Sequence, residues 1–238
     1  MLVIAEGFCP LLPVTKGEDE MATELDLRKD LIAACLEMNA LGLNQGTSGN
    51  ISLQFEDRML ISPSATAYAK IKPEMITSID LTGDMPDTWD GPLKPSTEWR
   101  FHWYAMKQRD DVTAVVHAHP PYSTALSILR KPIPACHYMI AAFGGMDVRV
   151  CNYDTFGSPE LALNVMESLK DRSACLMANH GIVATGTGLE QAMWRAGELE
   201  AIARQYHLAL QIGEPHILSK EEIDETFKMF AGYGVQDN

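Results

Sequence analysis

The run Ala114-Val115-Val116-His117-Ala118-His119-Pro120 constrains the chain more than any other segment. Bulky apolar residues followed by strict alternation read as a buried strand whose end reaches polar surroundings. Side chains two apart on a strand share a face, so both imidazoles point the same way, roughly 7 Å apart at their Cβ atoms. Two rings so placed can share one metal ion. A second buried strand is expected at Ala174–Met177, ending in Asn179-His180-Gly181, with Ile182–Ala184 continuing after it.

Helical spacing frames these strands. Leu27, Leu31, Cys35, Met38 and Leu41 mark a helix from about Asp26 to Leu41, with Gly42 as its stop. The glycine-rich loop "NQGTSGN" follows, and then short β-like runs at Ile51–Phe55, Met59–Ser62 and Ile76–Leu81. Gly83 to Pro95 reads as a loop. Ser96 or Thr97 is expected to cap a helix whose apolar stripe is Trp99, Trp103 and Met106, which puts Glu98 in its first turn. A strand near Val148–Cys151 leads to Ser158-Pro159-Glu160, a cap, a proline at the first helical position and an acid, opening a helix to about Lys170. Leu189 to Leu210 carries the spacing of a helix of about six turns, and Ser219 with Glu222 forms a capping box for a last helix. This mixed order, with no regular βαβ repeat, predicts an α/β/α layered fold around a central, largely antiparallel sheet.

Residues 25–238 are expected to form a single domain, and residues 1–24 a poorly ordered N-terminal extension. That extension has apolar patches, but Pro10 and Pro13 interrupt them and no basic segment precedes them, so a signal peptide is not expected. No apolar run reaches the ~20 residues needed to span a bilayer. A formal net charge of −13 argues against nucleic-acid or anionic-membrane partners, whose binding rests on clustered Lys and Arg. The five cysteines, Cys9, Cys35, Cys136, Cys151 and Cys175, are odd in number and include no C-x-x-C pair. They fit free thiols in a reducing cytoplasm.

Glu98, His117, His119 and His180 make one candidate metal set. Imidazole nitrogen with one carboxylate oxygen suits zinc, and the absence of thiolates from the set favours a catalytic over a structural site. A lone histidine at a strand end is more often an ordinary hydrogen-bonded residue, and His102, His137, His207 and His216 receive that reading. Glu98 taken alone is most simply a first-turn acid favoured by the helix dipole. Tyr138, flanked by apolar neighbours, reads as core. Spacing yields a metal site and no substrate.

The segments "LGLNQGTSGNIS", "MLISPSATAY", "PSTEWRFH", "AVVHAHPPYSTALS", "IPACHYMIAAFGG", "YDTFGSPEL", "ANHGIVA" and "GYG" follow one another over about residues 26–235. In order and spacing they resemble the class II aldolase/adducin family, most closely its fuculose-phosphate aldolases. The resemblance implies that Glu98, His117, His119 and His180 bind one zinc ion per subunit. It implies a homotetramer with active sites between neighbouring subunits, to which Tyr138 contributes a proton donor from the adjacent chain. Phe156 and Tyr233 match active-site positions. It further implies that Glu98 leaves the metal when substrate chelates and then acts as general base.

The implied reaction is reversible cleavage of a ketose 1-phosphate, fuculose 1-phosphate first, to dihydroxyacetone phosphate and a short aldehyde. The phosphate is expected near Gly49 and Asn50, Ser64 and Ala65, and Ser96 and Thr97, where close backbone approach, hydroxyls and a helix N-terminus favour an anion. The chain departs from the family pattern at Ala65, where those aldolases carry glycine. Family alternatives are sugar-acid phosphate decarboxylation, methylthioribulose-phosphate dehydration and pentulose-phosphate 4-epimerisation. The epimerases carry aspartates that are absent here, one of them in place of Glu98. A noncatalytic adducin-like module is disfavoured by the complete zinc set.

Overall fold

Thr23 accepts the backbone N–H of Asp26 on its hydroxyl and opens α1 (Glu24–Ala40), whose Leu31, Ala34, Cys35 and Met38 are buried. The computed structural model describes residues 22–232. Tyr233 and nearly all of the expected extension, Cys9 included, lie outside them. After α1 come β1 (Asn50–Phe55), β2 (Arg58–Ile61), β3 (Thr77–Asp80), α2 (Trp99–Gln108) and β4 (Ala114–Ala118). Then follow α3 (Pro121–Ile128), β5 (Ile133–Pro134), a 3₁₀ segment (Tyr138–Phe143), β6 (Asp147–Val148), β7 (Val150–Cys151) and α4 (Pro159–Ser168). The last of the described residues form β8 (Ala174–Met177), β9 (Gly181–Gly186), α5 (Leu189–Ile212) and α6 (Lys220–Gly232).

Seven strands form one sheet in the order β3-β2-β1-β4-β9-β8-β7. Every neighbouring pair is antiparallel except β7 with β8. Alternation along the strands builds two cores. Ile51, Val116, Leu176, Ile182 and Ala184 face α1, α3, α5 and α6, while Met59, Val115, Cys175, Met177 and Val183 face α2 and α4. Each fully buried aliphatic side chain contributes about 1.5–3 kcal/mol, so the two apolar faces together hold the sheet between its helices. The expected three-layer α/β/α architecture with a largely antiparallel sheet is what the chain adopts.

Local expectations were met where the signal was local. Ser158 caps α4 by accepting the Leu161 N–H at 3.1 Å. Ser219 and Glu222 exchange both bonds of a capping box, at 2.7 and 3.2 Å. Three details differ. Ile182–Ala184 does not continue β8 but reverses against it, with Ala174 opposite Ala184 and Met177 opposite Gly181. Asn179, at φ 55°, makes that tight turn, a conformation asparagine tolerates better than most residues. The Val148–Cys151 stretch is split between sheets, β6 pairing with β5 and β7 with β8. Finally, α3 follows Pro120-Pro121 without a local capping side chain. Its first N–H groups, of Tyr122 and Ser123, donate at 2.8 Å to Glu200 on α5, a cap supplied from 77 residues or more away.

Candidate metal centre and its cavity

β4 delivers His117 on its α2-facing side, packed edge-on against Phe101 at 5.6 Å, and fully buried. His119 stands one residue past the strand end, yet the two rings meet as the spacing predicted, Nε2 to Nε2 at 3.0 Å. His180 arrives from the Asn179 turn between β8 and β9. Gly181 makes that approach possible: a Cβ there would lie 2.6 Å from His119 Cδ2 and closer still to the Ala118 carbonyl oxygen. Ligand nitrogens of His117, His119 and His180 all lie within 4.8 Å of one another.

Glu98 completes the set from α2, though not from its first turn. It occupies the N-cap itself, at φ −98°, ψ 13°, without capping the helix with its own side chain. Ser96 takes over part of that duty, accepting the Glu98 N–H on its hydroxyl at 3.3 Å. The carboxylate is thereby free to face the imidazoles: Oε2 lies 3.0 Å from His117 Nε2 and Oε1 3.3 Å from His180 Nε2. A tetrahedral site with ligand bonds of 2.0–2.1 Å has edges of about 3.3 Å, so these separations suit four donors around one ion.

The donor chemistry agrees with the spacing. His117 Nδ1 lies 2.8 Å from the Ile182 carbonyl and donates to it, which leaves Nε2 as a lone-pair donor. Burial, and then charge on His117, pushes His119 to about 3 and His180 to about 4, so both rings are neutral ligands. Burial disfavours the charged form of Glu98, but His117, His180 and the Asn50 amide prevail and hold its carboxyl at about 2. Burial likewise opposes charge on His117, and the Glu98 carboxylate overrides it and raises that ring. Glu98 Oε1 is buried and receives no hydrogen bond. An orphaned carboxylate oxygen facing the neutral His180 ring is the arrangement a divalent cation satisfies.

The centre opens into a cavity of about 450 Å³ lined by the expected Gly49, Asn50, Ser64, Ala65, Ser96, Thr97 and Phe156. The Pro63 and Pro95 backbones bridge to each other, which brings Ser64 Oγ within 3.4 Å of Thr97 Oγ1. Gly49 lies so close to β4 that a Cβ would sit 2.7 Å from the His117 carbonyl oxygen. Ala65 adopts φ 50°, the left-handed conformation that glycine takes without penalty. Asn50 has a use beyond the expected one, donating its amide to Glu98 Oε2 at 3.2 Å. Tyr153, Asp154 and Asn179 also line the cavity and were not anticipated. Among the described residues no Lys or Arg lines it, so an anion there would rest on hydroxyls, backbone N–H groups and a bound metal.

Tyr138 is not brought to this cavity. It sits on the 3₁₀ segment and is 51% exposed, which overturns its reading as core; its ring lies 6.5 Å from that of Phe230 on α6. A larger hollow of about 1170 Å³, beside Arg109, Trp194, Arg195 and Phe230, contains none of the converging ligands. His102, given the ordinary reading, is fully buried and bonded to Asn50 and Ser52. Its i+4 spacing from Glu98 was the available signal.

Comparison with known proteins fits this geometry. The model of the Class II Aldolase and Adducin N-terminal domain matches residues 29–207. A 5-methylthioribulose-1-phosphate/5-deoxyribulose-1-phosphate aldolase of Rhodospirillum rubrum is 45% identical over 212 residues, covering 89% of this chain and 94% of that protein. An L-fuculose phosphate aldolase of Escherichia coli O6:H1 is 46% identical over 211 residues, covering 88% and 96%. A solved structure of an L-fuculose 1-phosphate aldolase superposes with a TM-score of 0.83 at 38% identity, over 89% of this chain and 98% of that one. The chain belongs to the class II aldolase and adducin family.

Proposed function

We propose that the protein is a zinc-dependent aldolase that reversibly cleaves a ketose 1-phosphate to dihydroxyacetone phosphate and a short aldehyde. The observation that carries this reading is the four-donor set, three imidazoles and one buried carboxylate with an unsatisfied oxygen, at the wall of a cavity lined by hydroxyls and glycine. Zinc, when bound, supplies Lewis-acid polarisation of the substrate's carbonyl and adjacent hydroxyl. His117, His119 and His180 would hold it. Glu98 is the ligand that can be released, since one of its oxygens has no hydrogen bond and the other keeps the Asn50 amide.

Cleavage breaks the bond between C3 and C4. The C4 hydroxyl gives up its proton, its oxygen becomes the aldehyde carbonyl, and the bonding pair moves to C3. Tyr138 of an adjacent subunit in a homotetramer takes the hydroxyl proton; its exposure on the 3₁₀ segment leaves it available to a neighbour. Tyr138 passes the hydroxyl proton on to solvent, and Glu98 takes one from solvent and delivers it to C3 to release dihydroxyacetone phosphate; both transfers run in reverse in the condensation direction. Ser64, Ser96, Thr97 and the backbone around Gly49 and Ala65 hold the phosphate, and Phe156 covers the cavity mouth. The C-terminal Tyr233 is assigned to the substrate site by resemblance alone.

Fuculose 1-phosphate is the first substrate to test. The Rhodospirillum relative supports a second reading, in which 5-deoxyribulose or methylthioribulose 1-phosphate is cleaved. Among the described residues no helix is long and apolar enough to cross a membrane, and Cys35, Cys136, Cys151 and Cys175 are free thiols, which supports a cytoplasmic setting. The test is release of dihydroxyacetone phosphate from a panel of fuculose, rhamnulose, 5-deoxyribulose and methylthioribulose 1-phosphates. Release abolished by chelator and restored by zinc is expected. No release from any of them by protein carrying a full complement of zinc would overturn the reading, in favour of decarboxylation or dehydration of a related phosphate.

A further inference from the structure

Behind the metal centre runs a buried chain of hydrogen bonds that the reaction scheme does not use. Ser52 Oγ lies 2.7 Å from His102 Nδ1, His102 Nε2 lies 2.6 Å from Asn50 Oδ1, and Asn50 Nδ2 donates to Glu98 Oε2 at 3.2 Å. Ser52 and His102 are fully buried and Asn50 nearly so. None of the polar side-chain atoms of these three residues is left unsatisfied.

The donor and acceptor roles in this chain follow from its far end. A carboxylate only accepts, so Asn50 must turn its NH₂ toward Glu98 and its carbonyl oxygen toward His102. That oxygen also only accepts, so His102 Nε2 must carry the proton. Nδ1 is then an acceptor, and the rotatable Ser52 hydroxyl donates to it. The two faces of an asparagine amide have nearly the same shape, and nothing but its partners decides which way it points. Here the two partners act together: the Glu98 carboxylate requires the NH₂, and His102 Nε2–H supplies the donor that the amide oxygen then needs. Turned about, the amide would set its oxygen against Glu98 Oε2, two acceptors face to face in a dry site.

We propose that His102 is a positioning residue for Glu98, acting through the Asn50 amide to hold the carboxylate in the orientation from which it serves as ligand and base. This rests on the reading of Glu98 as the base. His102 does not line the cavity, so it touches neither substrate nor metal. Burial keeps its ring neutral, at about 3, which is what a one-proton relay of this polarity requires. Stacking by Phe101, with ring centroids 4.6 Å apart, fixes the plane of the imidazole.

The test compares zinc-loaded His102→Phe and His102→Gln with the parent. The phenylalanine retains bulk and removes both bonds; the glutamine amide can still donate to Asn50 Oδ1 from the same helical position. His102→Phe is expected to lower kcat at least tenfold with KM changed less than threefold, and His102→Gln to recover most of that loss. In a Glu98→Gln background His102→Phe is expected to have no further effect on kcat, because its effect travels through the carboxylate. An unchanged kcat in His102→Phe, or an equal loss with and without the carboxylate, overturns the proposal. Should His102→Phe be insoluble, Ser52→Ala replaces it, with an expected threefold or greater fall in kcat; an unchanged kcat overturns it. Imidazole ¹⁵N resonances supply a readout independent of turnover. The neutral ring protonated on Nε2 is expected, and the Nδ1 tautomer in the parent protein overturns the proposal even if no aldol cleavage is found. Absence of cleavage in the parent, with the Nε2 tautomer present, would defeat the functional reading and leave the relay standing.

Discussion

Glu98→Gln removes a negative charge and almost no volume, which makes it the most direct probe of the centre. Asn50 Nδ2 needs an acceptor, so the glutamine oxygen takes the place of Oε2 and its NH₂ that of Oε1, 3.3 Å from His180 Nε2. The new side chain is therefore accommodated, and three imidazole nitrogens within 4.8 Å of one another remain to hold the ion. Zinc is expected to stay near one per chain at saturating metal. Removing a positioned general base costs about 10²–10⁴-fold in rate. At 1.36 kcal/mol per decade that is about 3–5 kcal/mol of lost transition-state stabilisation. The assay that isolates this step is exchange of solvent deuterium into C3 of dihydroxyacetone phosphate, which needs the base and no aldehyde. Exchange and cleavage should fall by the same factor. Parent-like exchange in the zinc-loaded variant would refute Glu98 as the base, and loss of the metal along with exchange would refute the claim that three histidines suffice to hold it.

Four further outcomes follow from the same geometry. In metal-free protein the Glu98 contribution to stability is present above its ordinary value of 4.5 and is lost as pH falls toward about 2, a shift worth no more than about 3 kcal/mol. The raised His117 contributes below its ordinary 6.5 and loses that contribution as pH rises, so the difference in urea midpoint between parent and Glu98→Gln should peak between pH 4.5 and 6.5; a pH-independent difference would refute the pairing. Tyr138→Phe should retain zinc and deuterium exchange while cleavage falls at least tenfold, and unaltered cleavage would make the tyrosine a bystander. Gly181→Ala drives a methyl into the Ala118 carbonyl and His119, so we expect a destabilisation of about 2 kcal/mol or more and zinc affinity at least tenfold weaker, read by thermal unfolding and chelator competition. Ala65→Gly relieves left-handed strain of about 1–2 kcal/mol and adds unfolded-chain entropy worth about 0.4–1 kcal/mol, so stability should move by about 1 kcal/mol or less while KM for the sugar phosphate drops.

What could be read along the chain was whatever depends on residues close in sequence. The His117–His119 pair was legible because strand periodicity places both rings on one side, and the α4 and α6 caps because serine reaches an N–H only three residues on. The layered architecture followed from the order of helical and strand patterns, since each apolar face must be covered by another element. Residue types and spacing, and the motifs that resemble the family, both singled out four candidate ligands, and the fold brings all four together.

Other features depend on elements far apart in the chain, and one-dimensional spacing does not contain them. The reversal at Asn179 lays β9 between β4 and β8 and carries His180 to His119; a pattern of buried residues looks the same whether the strand goes on or turns back. Glu98, a member of the candidate metal set, read when taken alone as an acid serving its own helix, and the approach of β4 and the Asn179 turn gives its carboxylate better partners than the helix N–H groups. His102 had only its i+4 spacing from Glu98 to mark it out, and its role waited on β1, which supplies Asn50 and Ser52 on either side of its ring. Tyr138, apolar in its neighbours, faces outward because Ile140, Ala141 and Phe143 of the same 3₁₀ segment fill the core. The residue types that can bind a metal were thus set by local chemistry. Their charge states, orientation and accessibility were set by long-range packing, because burial and hydrogen-bond partners, which control all three, come from elements distant in sequence.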